Sequence, residues 1–473
     1  MLSNKIFLMF FALLLSPLQL MPQTITLRDT TNQYDYIIIT VPEFVSACEP
    51  FKTHKETVRD FRTLIVDTTQ IFAEFDSSLT PQDNIRNFVS YAGTFWREPK
   101  PIYFLLLGNV QAVPNFMIPS PIGPYYDSDY YYKYSTYSSD TTNIDFYVGR
   151  IPTININEAQ NYFSKVIEYE SDPNLHSWLN NNLFIYEQEH GFGFLDFAQF
   201  ISDSMLPDFI RPTFITQDSG SIYYGNKDSI HKAVNETGHS IVWFTGHGGI
   251  SYFISTEYFN LEDISGFQNG PKYFLTVFMG GQSSIIDSNT NFTKELLVME
   301  NAGSLGGGLF TGLAFWGTGK VYNILLAGRL FNSEFQSLGE VYDINLLNHG
   351  SAGYYMQRIA NLWADPSLIL KYDPTVGVEE IDNEMPTEYV LYQNYPNPFN
   401  PRTNIGFRIA DRGFVSIKVY DVLGKEIATL VNEEKPAGNY EVEFDATNLT
   451  SGIYFYQLKA GNLIETKKML LLK

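Results

Sequence analysis

Short apolar runs recur along the first part of the chain, at residues 36–40, 64–67, 103–107, 183–186, 213–216, 241–245 and 274–278. Runs of this length, without alternation, predict strands buried on both faces. Between them, apolar positions follow a helical period. Thr80-Pro81 reads as an N-cap followed by a first-turn proline, and Ile85, Phe88, Val89 and Ala92 then fall at i, i+3, i+4 and i+7. Residues 157–169 and 227–234 predict further helices. Strands alternating with helices in this way predict an α/β fold with a doubly wound, mostly parallel sheet.

The pattern breaks in three places. Residues 119–143 are rich in Tyr, Ser, Asp and Pro and lack helical period, which predicts a long functional loop. Residues 373–387 are acidic and polar with two prolines, the composition of a linker between an α/β domain at 24–372 and a module at 388–473. In that module, alternating runs at 415–420, 440–444 and 454–458 are separated by turn signals such as Leu423-Gly424 and Ser451-Gly452. Short strands so spaced predict a small all-β, immunoglobulin-like sandwich. At the other end, Lys5 precedes an apolar run at 6–15 that is too short to span a bilayer, so residues 1–23 read as a secretory signal.

Composition narrows the function classes. The 473 residues carry a net charge of −21 and no Lys/Arg cluster, which argues against a nucleic-acid partner. No later segment is apolar for long enough to be a transmembrane helix. A single cysteine, Cys48, precludes an intrachain disulfide. It falls in a helical stretch with Phe44 and Phe51 on nearby turns, which suits a structural thiol. Neither an HExxH helix nor paired cysteines is present for zinc. No cofactor is implied, although the oxygen-rich loop with Asp127, Asp129 and Asp140 leaves a structural calcium open.

Two sets of motifs resemble known families. In the C-terminal module, Tyr395-Pro396-Asn397-Pro398-Phe399-Asn400-Pro401, Val419-Tyr420-Asp421-Val422-Leu423-Gly424, Ser451-Gly452-Ile453-Tyr454 and Lys467-Lys468-Met469-Leu470 resemble the type A sorting domain of proteins exported by the type IX secretion system. That resemblance implies the secretion machinery as a partner, and release or anchoring at the cell surface. In the α/β region, Asn143-Ile144-Asp145-Phe146-Tyr147-Val148-Gly149-Arg150-Ile151-Pro152, Phe244-Thr245-Gly246-His247-Gly248-Gly249 and Leu362-Trp363-Ala364-Asp365-Pro366 resemble the gingipain family of cysteine peptidases. The family fold is caspase-like, with catalytic His and Cys on loops after neighbouring parallel strands.

The residues agree with this placement for His247. It directly follows a buried strand, and ligands of open parallel sheets bind beyond the strands' carboxyl ends. Flanking glycines let amides approach a substrate carbonyl, so Gly248 and Gly280 are the candidate oxyanion donors. The nucleophile is another matter. Where the family has cysteine, the strand-based alignment puts Met279, and alignment on the trailing glycine puts Phe278. Neither a thioether nor a phenyl ring can act as a nucleophile. Ser283 and Ser284 follow the same strand but arrive several residues late. The resemblance also assigns Asp129, in Ser128-Asp129-Tyr130-Tyr131-Tyr132, to a pocket for a basic side chain of a peptide or protein substrate, while alongside Asp127 and Asp140 it reads equally well as a solvated loop acid. Three functions therefore stay open: a pseudopeptidase that binds peptide at the cell surface, an active cysteine-type endopeptidase with a displaced nucleophile, and a surface adhesin using the tyrosine-rich loop.

Overall fold

The computed structural model describes residues 25–75, 79–121, 125–138, 143–188, 193–255, 258–279, 290–374, 389–392, 394, 399, 401–461 and 463–471. The expected signal segment, most of the linker and the Gly280–Ser284 stretch lie outside these residues.

The parallel strands divide between two sheets rather than forming one. The first contains β1 (Tyr36–Thr40), β2 (Thr63–Asp67), β3 (Tyr103–Leu107) and β4 (Tyr147–Ile151), all parallel, in the order β2-β1-β3-β4. The second contains β5 (Asn181–Tyr186), β6 (Arg211–Thr216), β7 (Ile241–Thr245), β8 (Phe274–Met279), β9 (Ser304–Phe310) and β10 (Ala360–Ala364), in the order β10-β9-β8-β7-β5-β6. Only β10 runs antiparallel. The sheets abut along β4 and β10, where Gly149 packs so closely that a Cβ would lie 2.1 Å from the Ala364 carbonyl oxygen.

The helices form where the periodicity places them. The Thr80 side chain caps Pro81–Phe95 by accepting from the Asp83 amide, and Ile85, Phe88, Val89 and Ala92 are fully buried beneath it. Asn155 caps Ile156–Ser171 in the same way. A buried charged group then ties the sheets together. Asp365 accepts from the Tyr36 hydroxyl at 2.8 Å and pairs with the Lys55 ammonium at 2.6 Å, while Lys55 also reaches Glu170 at 2.8 Å. Burial alone would raise the Glu170 carboxyl, but Lys55, His54 and Arg59 hold it below the usual carboxylate range.

The described part of residues 119–143, expected to be a long functional loop, holds regular structure and buried side chains. A two-stranded hairpin, Phe116–Pro119 with Tyr125–Ser128, leads into a 3-10 turn at Tyr130–Lys133, and Tyr126, Tyr130, Tyr132 and Tyr134 are buried. The aromatic content that reads as loop texture is core material whose hydroxyls find partners, as Tyr132 does on the Pro114 carbonyl.

The C-terminal module is a sandwich of antiparallel strands: β11 (Val390–Leu391), β12 (Arg402–Ile409), β13 (Gly413–Tyr420), β14 (Glu426–Lys435), β15 (Gly438–Asp445), β16 (Gly452–Ala460) and β17 (Leu463–Leu471). They are arranged as β11-β12-β15 facing β14-β13-β16-β17. Its core, including Ile405, Phe407, Ile417, Tyr456 and Met469, is a separate cluster that shares no residue with the α/β cores. Among the described residues, no helix is long and apolar enough to cross a membrane.

Candidate active site

The site begins with how β7 ends. Ile241–Thr245 is buried throughout, and the chain then turns through Gly246 at φ +150°. Glycine is required there twice over: few side chains tolerate that backbone, and a Cβ would meet Glu187 Cβ at 2.6 Å. The next strand, β5, ends at Tyr186, and the Glu187 amide continues the ladder by donating to the Thr245 carbonyl at 2.9 Å. Glu187 is thereby laid directly against Gly246 and His247.

One carboxylate oxygen fixes the histidine. Glu187 Oε2 accepts from the His247 backbone N–H at 2.7 Å and lies 2.8 Å from His247 Nδ1. Since a carboxylate only accepts, Nδ1 carries a hydrogen. The Glu187 side chain is 15% exposed and that of His247 is 51% exposed, so the acid is sheltered while the ring faces outward. This is the arrangement of a histidine base and its orienting acid. Beyond the ring stands an aromatic wall. Phe194 meets His247 edge-on at 5.6 Å, Trp316 meets Phe194 at 4.7 Å, and the Lys320 ammonium lies 5.3 Å from the Trp316 ring.

On the opposite side of β7, β8 closes on Met279, whose backbone pairs in register with Thr245. Met279 is therefore one strand over from, and two residues behind, His247. Gly280, Ser283 and Ser284 lie outside the described residues. Gly248 is described: its backbone bridges to Phe253, and a Cβ there would make only ordinary contacts, at 3.7 Å or more. Cys48 lies in the helix Val45–Val58, which packs on β2 of the first sheet. Its thiol is fully buried and donates to the Phe44 carbonyl, and burial pushes its ionisation well above the ordinary thiol range.

Asp129 is not available as a recognition carboxylate. It is 4% exposed, and both of its oxygens are taken by the fully buried Arg150, with Nε to Oδ2 and Nη2 to Oδ1 each at 2.7 Å. Arg150 Nη1 donates to the carbonyls of Gly108 and Val113. The Asp129 charge is thus neutralised inside the protein before any substrate arrives. Asp127 is also engaged, accepting from the Asn115 amide at 3.0 Å, and Asp140 lies outside the described residues. Among the described residues, no group of three or more His, Cys, Asp or Glu side chains is placed to hold a metal ion.

Sequence reasoning missed Glu187. A lone acid after a strand carries no signal, and it lies sixty residues from His247 in the chain. Only the adjacency of β5 and β7 in the sheet joins the two.

A mostly parallel α/β sheet with a histidine and an acid beyond adjacent strand ends is the setting that the comparisons with known proteins place in a family. The family model of Peptidase family C25 matches residues 29–371, and that of the Secretion system C-terminal sorting domain matches residues 393–472. The chain belongs to Peptidase family C25, the gingipain family, and its sorting domain directs it through type IX secretion to the cell surface or the extracellular space. Among solved structures it is similar to the complex of the pro- and mature domains of RgpB from Porphyromonas gingivalis. That match is 16% identical, covers 93% of this chain and 100% of the other, and has a TM-score of 0.58. It is also similar to the Arg-specific cysteine proteinase gingipain R, at 17% identity, 93% and 98% coverage and a TM-score of 0.59. At such identities the likeness carries the fold alone. No curated protein matches the chain.

Proposed function

We propose that this chain is an exported C25-family pseudopeptidase, which binds peptide at its retained site without cysteine-based cleavage. The observation that carries this reading is Met279 at the end of β8, opposite Thr245 and beside the strand that bears His247. A thioether has no proton to give up and cannot form the acyl intermediate of a cysteine peptidase. The only thiol in the chain is sealed on the other sheet. The adhesin reading loses its support, because most of the tyrosines that motivate it are in the core.

The retained parts suit binding. The half-exposed His247 ring offers a polar contact to a peptide, the Phe194–Trp316 wall offers apolar contact, and the amide of Gly248 is the proposed donor to a peptide carbonyl. A thiol-directed activity probe applied to the folded protein should label nothing at the site. Any slow labelling should map to Cys48 and be unchanged by His247→Ala. Labelling that disappears with His247→Ala would overturn the reading.

A further inference from the structure

The sandwich strand β12 carries an anomaly. Its residues alternate as expected, with Thr403, Ile405, Phe407 and Ile409 inward and buried, and Arg402 and Asn404 outward and exposed. Gly406 belongs to the outward set, yet it is buried. What covers it comes from the α/β domain. A Cβ at Gly406 would lie 2.0 Å from Ile222 Cγ2 and 3.3 Å from Ile222 Cβ, with the Tyr392 ring at 3.4 Å alongside.

Ile222 is presented by a rigid loop that follows β6. The Thr216 amide donates to the Tyr223 carbonyl and the Gly225 amide returns to the Thr216 carbonyl, both at 2.9 Å. Asp218 accepts from the Gly220 amide at 2.9 Å, and Ser221 Oγ accepts from the Tyr223 amide at 3.1 Å. The loop also touches the site's own strand: Ser221 Oγ lies 3.3 Å from the Tyr186 hydroxyl, and Tyr186 immediately precedes Glu187. From the sandwich side, Glu441 pairs with Gly406 across β12 and β15. Its charge adds to the burial that raises the ionisation of Tyr186 and Tyr223, as expected of a carboxylate facing those hydroxyls.

We propose that the sorting module is also an intramolecular ligand of the peptidase domain: Ile222 plugs the notch at Gly406 and holds the module against the Tyr186–Glu187 side of the site. While attached, the module covers that rim, so the export address and access to one flank of the site are physically coupled. The proposal stands whether or not the site turns over peptide.

The test is a crosslink in the full-length chain. The Cβ separation of 3.3 Å falls close to the roughly 3.5–4.5 Å of disulfides. The double variant Ile222→Cys with Gly406→Cys should close an intramolecular disulfide under mild oxidation, read by mass as the loss of two hydrogens. Neither single variant should do so with the sealed Cys48. Independently, Ile222→Asp should free the module and raise the radius of gyration in solution scattering. Failure of the double variant to crosslink within one chain, or a radius of gyration unchanged by Ile222→Asp, overturns the proposal.

Discussion

Asp129→Ala should destabilise the α/β domain by about 3–5 kcal/mol, the usual cost of stripping one partner from a buried ion pair. The guanidinium of Arg150 is fully buried, and Asp129 supplies two of its four hydrogen bonds at 2.7 Å. With Asp129 gone, the cation stays inside with the Gly108 and Val113 carbonyls as its remaining acceptors and the Asp127 charge nearby. Denaturant unfolding of the α/β domain measures the effect. The double variant Asp129→Ala with Arg150→Met should regain a large part of the loss, because it removes the orphaned charge. If Asp129 were instead an open recognition carboxylate, the single substitution would fall within about 0.5 kcal/mol of the parent, as at ordinary surface positions.

The second large effect is a gain. Met279→Cys should create a reactive thiol where the parent has none, because position 279 lies one strand spacing, about 4.8 Å, from the strand that leads into His247. A thiol paired with an imidazolium ionises more easily, and each unit of lowering raises the thiolate fraction about tenfold at pH values below its midpoint. Alkylation of Met279→Cys near pH 6 should therefore be rapid while Cys48 stays inert. Adding His247→Ala should slow it about tenfold or more. Glu187→Gln should slow it as well, since the ring loses the negative charge that stabilises its imidazolium form. Equal rates with and without His247 would mean that the β8 end and the histidine do not form one site.

Much of the fold was legible in the sequence because buried parallel strands announce themselves. Three of the expected runs match their strands residue for residue: β1, β3 and β7. The strand β9 was not legible. Its sequence, Ser-Leu-Gly-Gly-Gly-Leu-Phe, looks like a loop, yet a Cβ at Gly307 would sit 1.9 Å from the Thr276 carbonyl oxygen. The glycines are there for close packing, a demand that is visible only once the neighbours are placed. For the site, the positions of His247 just after β7 and of Met279 at the end of β8 follow from sequence order alone. The role of Glu187 does not, since it depends on which strands are neighbours. Asp129 was read in the opposite sense to its environment: the same Ser-Asp segment that resembles a pocket places its carboxylate against Arg150, from a block quoted for family resemblance rather than charge pairing.

The most direct measurement of the central claim is peptide cleavage by the unmodified, full-length protein, followed by mass spectrometry over a diverse peptide mixture and compared with His247→Ala. The account predicts no cleavage by the parent beyond that of the His247→Ala control, with intact peptides still retained by the protein. Cleavage by the parent that His247→Ala abolishes would contradict it. That result would establish a nucleophile other than a residue-279 thiol, and would send the search to Ser283 and Ser284.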